Sequence, residues 1–471
     1  MTYPNTGLAL PADFSLADRA RPRLAEMRAL LRLGTPIALI ALVNMGMSVT
    51  DATMVSTMFG ANAFASVAVG SDLYSILFYL GAGTLAGLTP FYTSAVVHAD
   101  PAERLRLERV GRAAALALAL VLVPAVWTAP DWLGQLGVDA TLLEEGRGYT
   151  QAIALTLAPM LGVVLYRTIL TAAERPRVFL NVTLAMLPLN AVANYVLMAG
   201  AGPLPGLGPA GAGLSSLLVA SASLALLMML ARRDARGTAA RAALRAPVDW
   251  GGLATVLRIG IPIGITTVAE VGSFLGATVY AGTLGAAAVA AHTLTLRMAG
   301  IAFAVPTALM QAATVRMARA ETRRGGKASR HVALATLASA TLCGTVLSTM
   351  FVLAADPLTR GFFDTGSSAN AAAATAADLL LLLAVIEPLG AFGAAASGLL
   401  RGRKDTRAPM VFTLTGHWAI GAPLGVYLCE WRNLGITGIW CGLAAGTLVT
   451  TVLVLLRLFL RMRGPGQDRL E

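Results

Sequence analysis

Four carboxylates stand inside long apolar runs of the chain: Asp51, Asp72, Glu270 and Glu387. A carboxylate in the middle of a bilayer costs roughly 3 kcal/mol on insertion scales, so it is retained for chemistry, here the binding of a proton, a small metal cation or an organic cation. Asp51 lies in NMGMSVTDATM, where Asn44, Met47, Asp51 and Met54 recur at helical spacing and share one face. One anion among adaptable thioethers suits a bulky organic cation, although the methionines alone read as ordinary helix packing. Glu270 lies in ITTVAEVGSF, with Thr266 one turn before it and Ser273 one turn after. Asn190 and Asn194 are four apart in LPLNAVANYV, just past Pro188. Beside a carboxylate, two amides can coordinate a small cation; hydrogen bonding between helices reads equally well. Glu387 precedes Pro388 and is a second candidate acid for the C-terminal half, while Asp72, in VAVGSDLYS, sits nearer the outer half and within reach of water.

Arg297 is the cation among these acids. Its expected role is an internal ion pair, with Glu270 on the preceding helix as partner, or contact with an anionic group of a substrate. His292 and His417 read as packed, hydrogen-bonded imidazoles rather than titrating ones. Asp51 and Glu270 are the candidate ligands for a small cation. A P-loop, an HExxH zinc motif, a GxSxG elbow and a CxxC pair are all absent from the sequence. Work done by the protein should therefore draw on an ion gradient, with no cofactor beyond a bound H+ or Na+.

The elements that carry these residues follow from composition. Of 471 residues 56% are hydrophobic and 13% charged, and the mean hydropathy is +0.70, so the chain is an all-α polytopic membrane protein. Apolar runs between charged breaks predict twelve transmembrane helices over residues 33–58, 64–97, 113–129, 148–172, 178–199, 210–230, 255–282, 286–315, 331–354, 376–400, 408–428 and 434–458. All but four of the 36 Lys and Arg residues fall in the N-terminal segment, every second connection and the C-terminal segment; the exceptions are Arg147, Arg297, Arg360 and Arg432. That alternation places both termini in the cytoplasm. The net charge of +11 is thus mostly topology, satisfied by anionic lipid headgroups without a nucleic-acid partner. Only Cys343, Cys429 and Cys441 occur, which excludes a disulfide framework. The first 30 residues are polar and lack a signal-peptide core, so the mature chain is expected to begin near Met1.

The halves on either side of the basic connection Arg232–Trp250 resemble one another. LLRLGTPIAL (30–39) aligns with VLRIGIPIGI (256–265), Pro36 over Pro262, and TMFGANAFAS (57–66) with GTLGAAAVAA (282–291). A shared Val–Phe pair stands at 178–179 and 411–412. Six helices per half predict two pseudo-symmetric lobes, residues 1–240 and 241–471, around a central cavity. In this register Glu270 overlies Asn44, two turns from Asp51 on the same helical face, so the two acids should point into equivalent clefts at different depths.

With these strings in order, the sequence resembles the multidrug and toxic compound extrusion (MATE) family of secondary transporters over about residues 28–460. The strings are LLRLGTPIAL, D51ATMV, G70SDLYS, IPIGITTVAEVGSF, LGAAAVAAH and GLLRGRKDTRAPMVF. The resemblance implies a two-lobed bundle that expels organic cations in exchange for protons or sodium ions. Asp51 matches the family's first-helix aspartate, Asn190 and Asn194 its polar pair on the fifth helix, and Glu270 the seventh-helix glutamate of the bacterial norfloxacin-efflux branch. Two departures stand out. The tenth-helix aspartate would fall on Gly390, one turn from Glu387, and Arg297 replaces a residue that is more often neutral.

The expected function is a secondary exporter of organic, cationic drugs or toxic metabolites working by alternating access. Asp51, Asn190, Asn194, Glu270 and Glu387 would handle the coupling ion, and Asn44, Met47, Met54, Asp72 and Arg297 would line the substrate cavity. A flippase for lipid-linked oligosaccharide or peptidoglycan precursors shares this architecture but would carry several cavity arginines for pyrophosphate. From another class, a membrane-embedded lipid-transferring enzyme would need an acid or histidine cluster at a membrane surface; no enzymatic activity is expected. The 34 Arg against 2 Lys suggest a high-GC bacterium, hence a protein of its inner membrane, and a monomer is expected.

Overall fold

A computed structural model of the chain describes residues 16–202, 204–234, 247, 249–323, 325–363 and 367–463. Most of the basic connection between the halves, with the boundary at 240/241, lies outside the described residues. The protein is a bundle of long helices: α1 Arg23–Gly60, α2 Asn62–Val97, α3 Pro101–Trp127, α4 Ala140–Ala172, α5 Pro176–Ala199 and α6 Pro209–Asp234 in the first half. The second half holds α7 Trp250–Thr283, α8 Ala286–Arg323, α9 Gly326–Phe362, α10 Ser367–Gly402, α11 over residues 407–430 and α12 Gly435–Arg463. Among the described residues eleven helices, all but α11, are long and apolar enough to cross a membrane. A two-residue hairpin, β1 Gly200–Ala201 with β2 Leu204–Pro205, joins α5 to α6.

Several helices run longer than their apolar cores. α3 starts at Pro101 rather than near 113 because Asp100 accepts from the Glu103 N–H at 3.0 Å, and the charged first turns are tied by Glu103–Arg106 and Glu108–Arg112 pairs. Hydropathy reads only the lipid-facing stretch and misses such extensions. Helical structure is continuous from Leu16 to Ala86 except at Gly60, whose φ of 84° and ψ of −179° no helix accommodates. Here α1 ends and the chain doubles back, since Gly34 and Gly87, either side of the break, both meet the C-terminal half at its basic end.

α11 departs most from a plain helix. Residues 407–413 and 422–430 are α-helical, and Leu414–Gly421 between them is a π-helical segment. Gly416, Gly421 and Gly425 pack against the backbone of Gly442 and Gly446 and the side chain of Thr450 on α12; a Cβ at Gly416 would lie 2.1 Å from Thr450 Oγ1. The spacing of five between Gly416 and Gly421 exceeds one α turn, and the wider π turn keeps both glycines on the α12 face.

The halves meet through small residues and charges at the basic end. A Cβ on Gly83 would lie 2.6 Å from Gly264 Cα, and one on Gly260 only 1.9 Å from Thr84 O, so α2 and α7 touch backbone to backbone. Below that contact Arg316 of α8 donates to both oxygens of Glu26 (2.7–2.9 Å) and to Glu174 (2.7 Å), and Arg319 pairs with Glu174 at 3.2 Å. The Arg316 side chain retains 17% exposure. Arg106 of α3 holds Asp249, the residue capping α7. Toward the other end, Gly46 of α1 and Gly276 of α7 have nothing within 4 Å of where a Cβ would stand.

Candidate functional site

In the first half the predicted polar residues come together. Asn194 donates from Nδ2 to Asp51 Oδ1, and the Asn190 side chain also reaches the same carboxylate. The i, i+4 spacing on α5 turns both amides toward α1. Asn190 and Asn194 are buried, Asn194 completely (0% exposed), while Asp51 is half-buried. The Oδ1 of Asn194 is enclosed and has no hydrogen-bond partner, an exception to the rule that buried acceptors are satisfied.

Tyr149 and Ser71 complete this pocket. The Tyr149 side chain, buried in α4, is hydrogen-bonded to Ser71 of α2 and lies within electrostatic range of Asp51 and Asp72. Neither was singled out from sequence; the only signal was an aromatic hydroxyl amid the polar run GRGYTQ where α4 enters the membrane. The helices approach closely there, since Gly70 and Gly146 leave no room for a Cβ against Thr150 and the Ser66 carbonyl. Asp72 itself is exposed. Of the expected cavity face, Asn44 is exposed and Met47 half-buried, whereas Met54 packs on the apolar cluster of Val55, Val67, Tyr149, Ile153, Met198 and Ala212. Packing accounts for Met54.

The second half is arranged differently. Glu270 on α7 is half-buried; the cation within electrostatic range is Arg401 at the end of α10, a residue with 8% exposure, and no ion pair within 4 Å joins the two. The sequence reading counts Arg401 as a loop cation because it opens the basic string RGRKDTR. Arg297, the expected partner of Glu270, is exposed on α8, and no ion pair joins it to Glu270. The helical phase of α8 turns it away, with the buried side of that helix carried by Leu294, Ala299 and Ala302. Glu387 is 6% exposed on α10 and has no hydrogen bond to a described residue, and neither Glu270 nor Glu387 figures among the other's electrostatic neighbours. Around Gly390, one turn further along α10, nothing lies within 4 Å of where a Cβ would stand.

The π segment of α11 abuts this region. Trp418 donates from Nε1 to the carbonyl of Ala269 at 3.0 Å, immediately before Glu270. The two buried histidines are packed and hydrogen-bonded, as expected. His292 Nδ1 accepts from Trp440 Nε1 at 3.1 Å. Its Nε2 lies 2.8 Å from Thr278 Oγ1, whose own hydrogen goes to Phe274 O, so Nε2 carries the proton and the ring is neutral. His417 is bracketed by Thr413 O, Thr447 and Thr450. Among the described residues no three His, Cys, Asp or Glu side chains cluster as a metal site.

Long apolar helices that enclose Glu387, Asn190 and Asn194 within the bundle define a polytopic α-helical membrane protein. The MatE family model matches residues 36–196 and again 262–427, beginning in each half at the prolines that align, Pro36 and Pro262. The chain is 30% identical over 428 residues to the "Probable multidrug resistance protein NorM" of Bradyrhizobium diazoefficiens, covering 91% of this chain and 92% of that one. Its fold is similar to that of the eukaryotic MATE transporter AtDTX14 (TM-score 0.82, 18% identity, 93% of this chain and 96% of that one). It is also similar to a structure described as the outward-facing conformation of a multidrug resistance MATE family transporter (TM-score 0.81, 17% identity, 93% and 96%). The chain belongs to the MatE family.

Proposed function

We propose that this protein is a secondary multidrug exporter that expels organic, cationic compounds in exchange for H+ or Na+. The reading rests on one observation: the Asp51 carboxylate is held by two amides and no resident cation, beside an enclosed Asn194 Oδ1 without a partner. A sodium ion would take oxygens from Asp51, Asn190 and Asn194, a hard donor set. A proton would make the Asp51 carboxyl a donor, which Asn194 can accept at Oδ1 after its amide turns over. Either cation removes the charge that an organic cation would use as its counter-ion, and Asp72 and Tyr149 extend the same polar surface. Coupling then requires only that ion and substrate favour different states of the protein. In the second half Glu387 is the acid left without a cation and is the candidate for a further ion site. The drug-resistance names of the bacterial relatives support the substrate class.

In this reading residues 1–240 and 241–471 are two lobes around a central cavity, the basic end and both termini lie in the cytoplasm, and the protein acts as a monomer in a bacterial inner membrane. The charged and glycine-lined seam is a closed cytoplasmic gate, and the cavity opens to the other side. Alternating access parts that seam, which breaks the Glu26–Arg316–Glu174 cluster.

Exchange of a fluorescent organic cation by protein in liposomes tests this, with pH and sodium gradients collapsed separately. Asp51→Asn should lower gradient-driven exchange by about tenfold or more, the scale of one charge-assisted contact. Exchange equal to that of the unaltered protein would refute the role of Asp51.

A further inference from the structure

The string RGRKDTRAP, the most distinctive in the sequence, lies far from Asp51 at the basic end. It forms the connection between α10 and α11, which corresponds in chain order to the α4–α5 connection of the first half. Each connection contains one non-glycine residue in the left-handed region, Glu174 (φ 57°) and Lys404 (φ 62°), and each of those residues reaches into the opposite half. Glu174 meets Arg316 and Arg319 at the end of α8. Lys404 sits 4.4 Å above the ring of Phe91, near the end of α2.

The two sides of the seam differ in charge balance. On the Glu174 side two carboxylates, Glu26 and Glu174, fill the space between the arginines. On the Lys404 side that space is a groove of about 780 Å³. Arg403, Lys404, Arg407 and Arg461 line it, against two acids, Glu321 and Asp405. Glu321 is paired with Arg403 at 3.4 Å, although its Oε1 makes no hydrogen bond, and Asp405 is committed to the Nε atoms of Arg457 and Arg461 at 3.0 Å each. Because both arginines use Nε, their terminal nitrogens remain free to donate. Arg407 is exposed and pairs with no described residue. The acids on the far side of Lys404 are also engaged, Asp100 as the cap of α3 and Glu103 with Arg106. Pro90, Ala318 and Leu460 supply an apolar wall, and Leu460 is 59% exposed on the outer face of α12.

We propose that this groove binds the headgroup of an anionic phospholipid from the adjoining leaflet. Its phosphate takes the place that Glu26 and Glu174 hold on the other side of the seam. The phosphate accepts from Arg407 and the terminal nitrogens of Arg461, and the acyl chains leave along Leu460 into the bilayer. Basic pockets between helices at this level suit such headgroups. Since Pro90 and Ser94 of α2 form one wall and the C-terminal half the other, the bound lipid bridges the halves and favours the state in which this end is closed.

The test is lipid binding to the purified full-length protein, read by native mass spectrometry and by thermal unfolding. Dioleoylphosphatidylglycerol should bind and raise Tm, whereas dioleoylphosphatidylcholine and inorganic phosphate should not. Arg407→Gln with Arg461→Gln should weaken phosphatidylglycerol binding about tenfold or more, and the corresponding Lys variants should restore most of it. Arg407→Gln alone, which removes no internal bond, should weaken it several-fold and guards against misfolding of the pair. Unchanged binding by the Gln variants, or equal binding of phosphatidylcholine, overturns the proposal. An equal Tm shift from inorganic phosphate replaces the lipid with a soluble anion and overturns it too. The assay reads no transport, so its failure leaves the exporter reading untouched.

Discussion

Asp51 and Glu270 stand in corresponding helices of the two halves, yet they meet different company. Asp51 is held by two neutral amides, with an acceptor beside it unfilled. Glu270 lies within electrostatic range of the buried guanidinium of Arg401. A carboxylate removed from water needs its charge met. In the second half a cation of the chain itself lies within range, whereas in the first half only neutral amides do, and in the proposed exporter the remaining need is met by an ion or substrate that comes and goes. The difference teaches that a buried acid in a transporter is not by itself a coupling site; its neighbours decide. Glu387, enclosed in α10 without such a cation, resembles Asp51 in this respect more than Glu270 does.

Removing the resident cation breaks the contrast most severely. Arg401→Gln removes the cation whose field reaches Glu270; with no contact ion pair between the two, the loss should be about 1–2 kcal/mol, the scale of an ordinary buried substitution. Glu270→Gln should cost less, and Glu270→Gln with Arg401→Gln should recover part of the loss. Thermal unfolding in detergent of the two single variants and the double variant gives the coupling between them. Strictly additive losses would show that the two charges do not sense each other, and the contrast would fall.

A smaller intervention makes the second half resemble the first. Nothing stands within 4 Å of a Cβ at Gly390, so Gly390→Asp should fold with a Tm within about 3 °C of the unaltered protein, a change on the scale of a tolerated substitution. It places a carboxylate one turn from Glu387 with no resident cation between them. Exchange should then depend more steeply on the pH or sodium gradient, measured as the slope of rate against imposed gradient. An unaltered slope in a folded variant would separate ion coupling from this part of α10.

The pairing of Asp51 with Asn190 and Asn194 was legible because charge and amides in apolar runs are rare and helical spacing fixes the face they share. Helix positions were legible for the same reason, and their ends were not, since caps such as Asp100 and charge pairs such as Glu108–Arg112 extend helices past the lipid. Arg401 was hidden because a cation at the start of a basic string reads as solvated, and only packing shows its side chain turned inward. Arg297 misled for the converse reason: adjacency of two helices in sequence says nothing about which way either one faces. The π segment of α11 left one trace, the five-residue step from Gly416 to Gly421, which becomes meaningful only once α12 is seen against it.

The smallest effect concerns what holds α7, and with it Glu270, in register with the first half. Asp249 caps α7 by accepting from the Gly252 N–H at 2.9 Å and also pairs with Arg106 of α3. The Gly252 N–H foremost, and then the Arg106 guanidinium, hold the Asp249 carboxyl below the usual carboxylate range. A lowered folded-state pKa means that the contribution is fully present above the unfolded value of about 3.9 and fades as pH falls through the folded value. Asp249→Asn keeps a cap acceptor but loses the charge. Since the pair is partly exposed, its Tm should fall only by about a degree at pH 7, and the gap from the unaltered protein should close as pH falls through the folded value. A gap that persists at low pH would mean that the cap geometry rather than the charge holds α7. The contrast between Glu270 and Asp51 would then owe nothing to this ion pair.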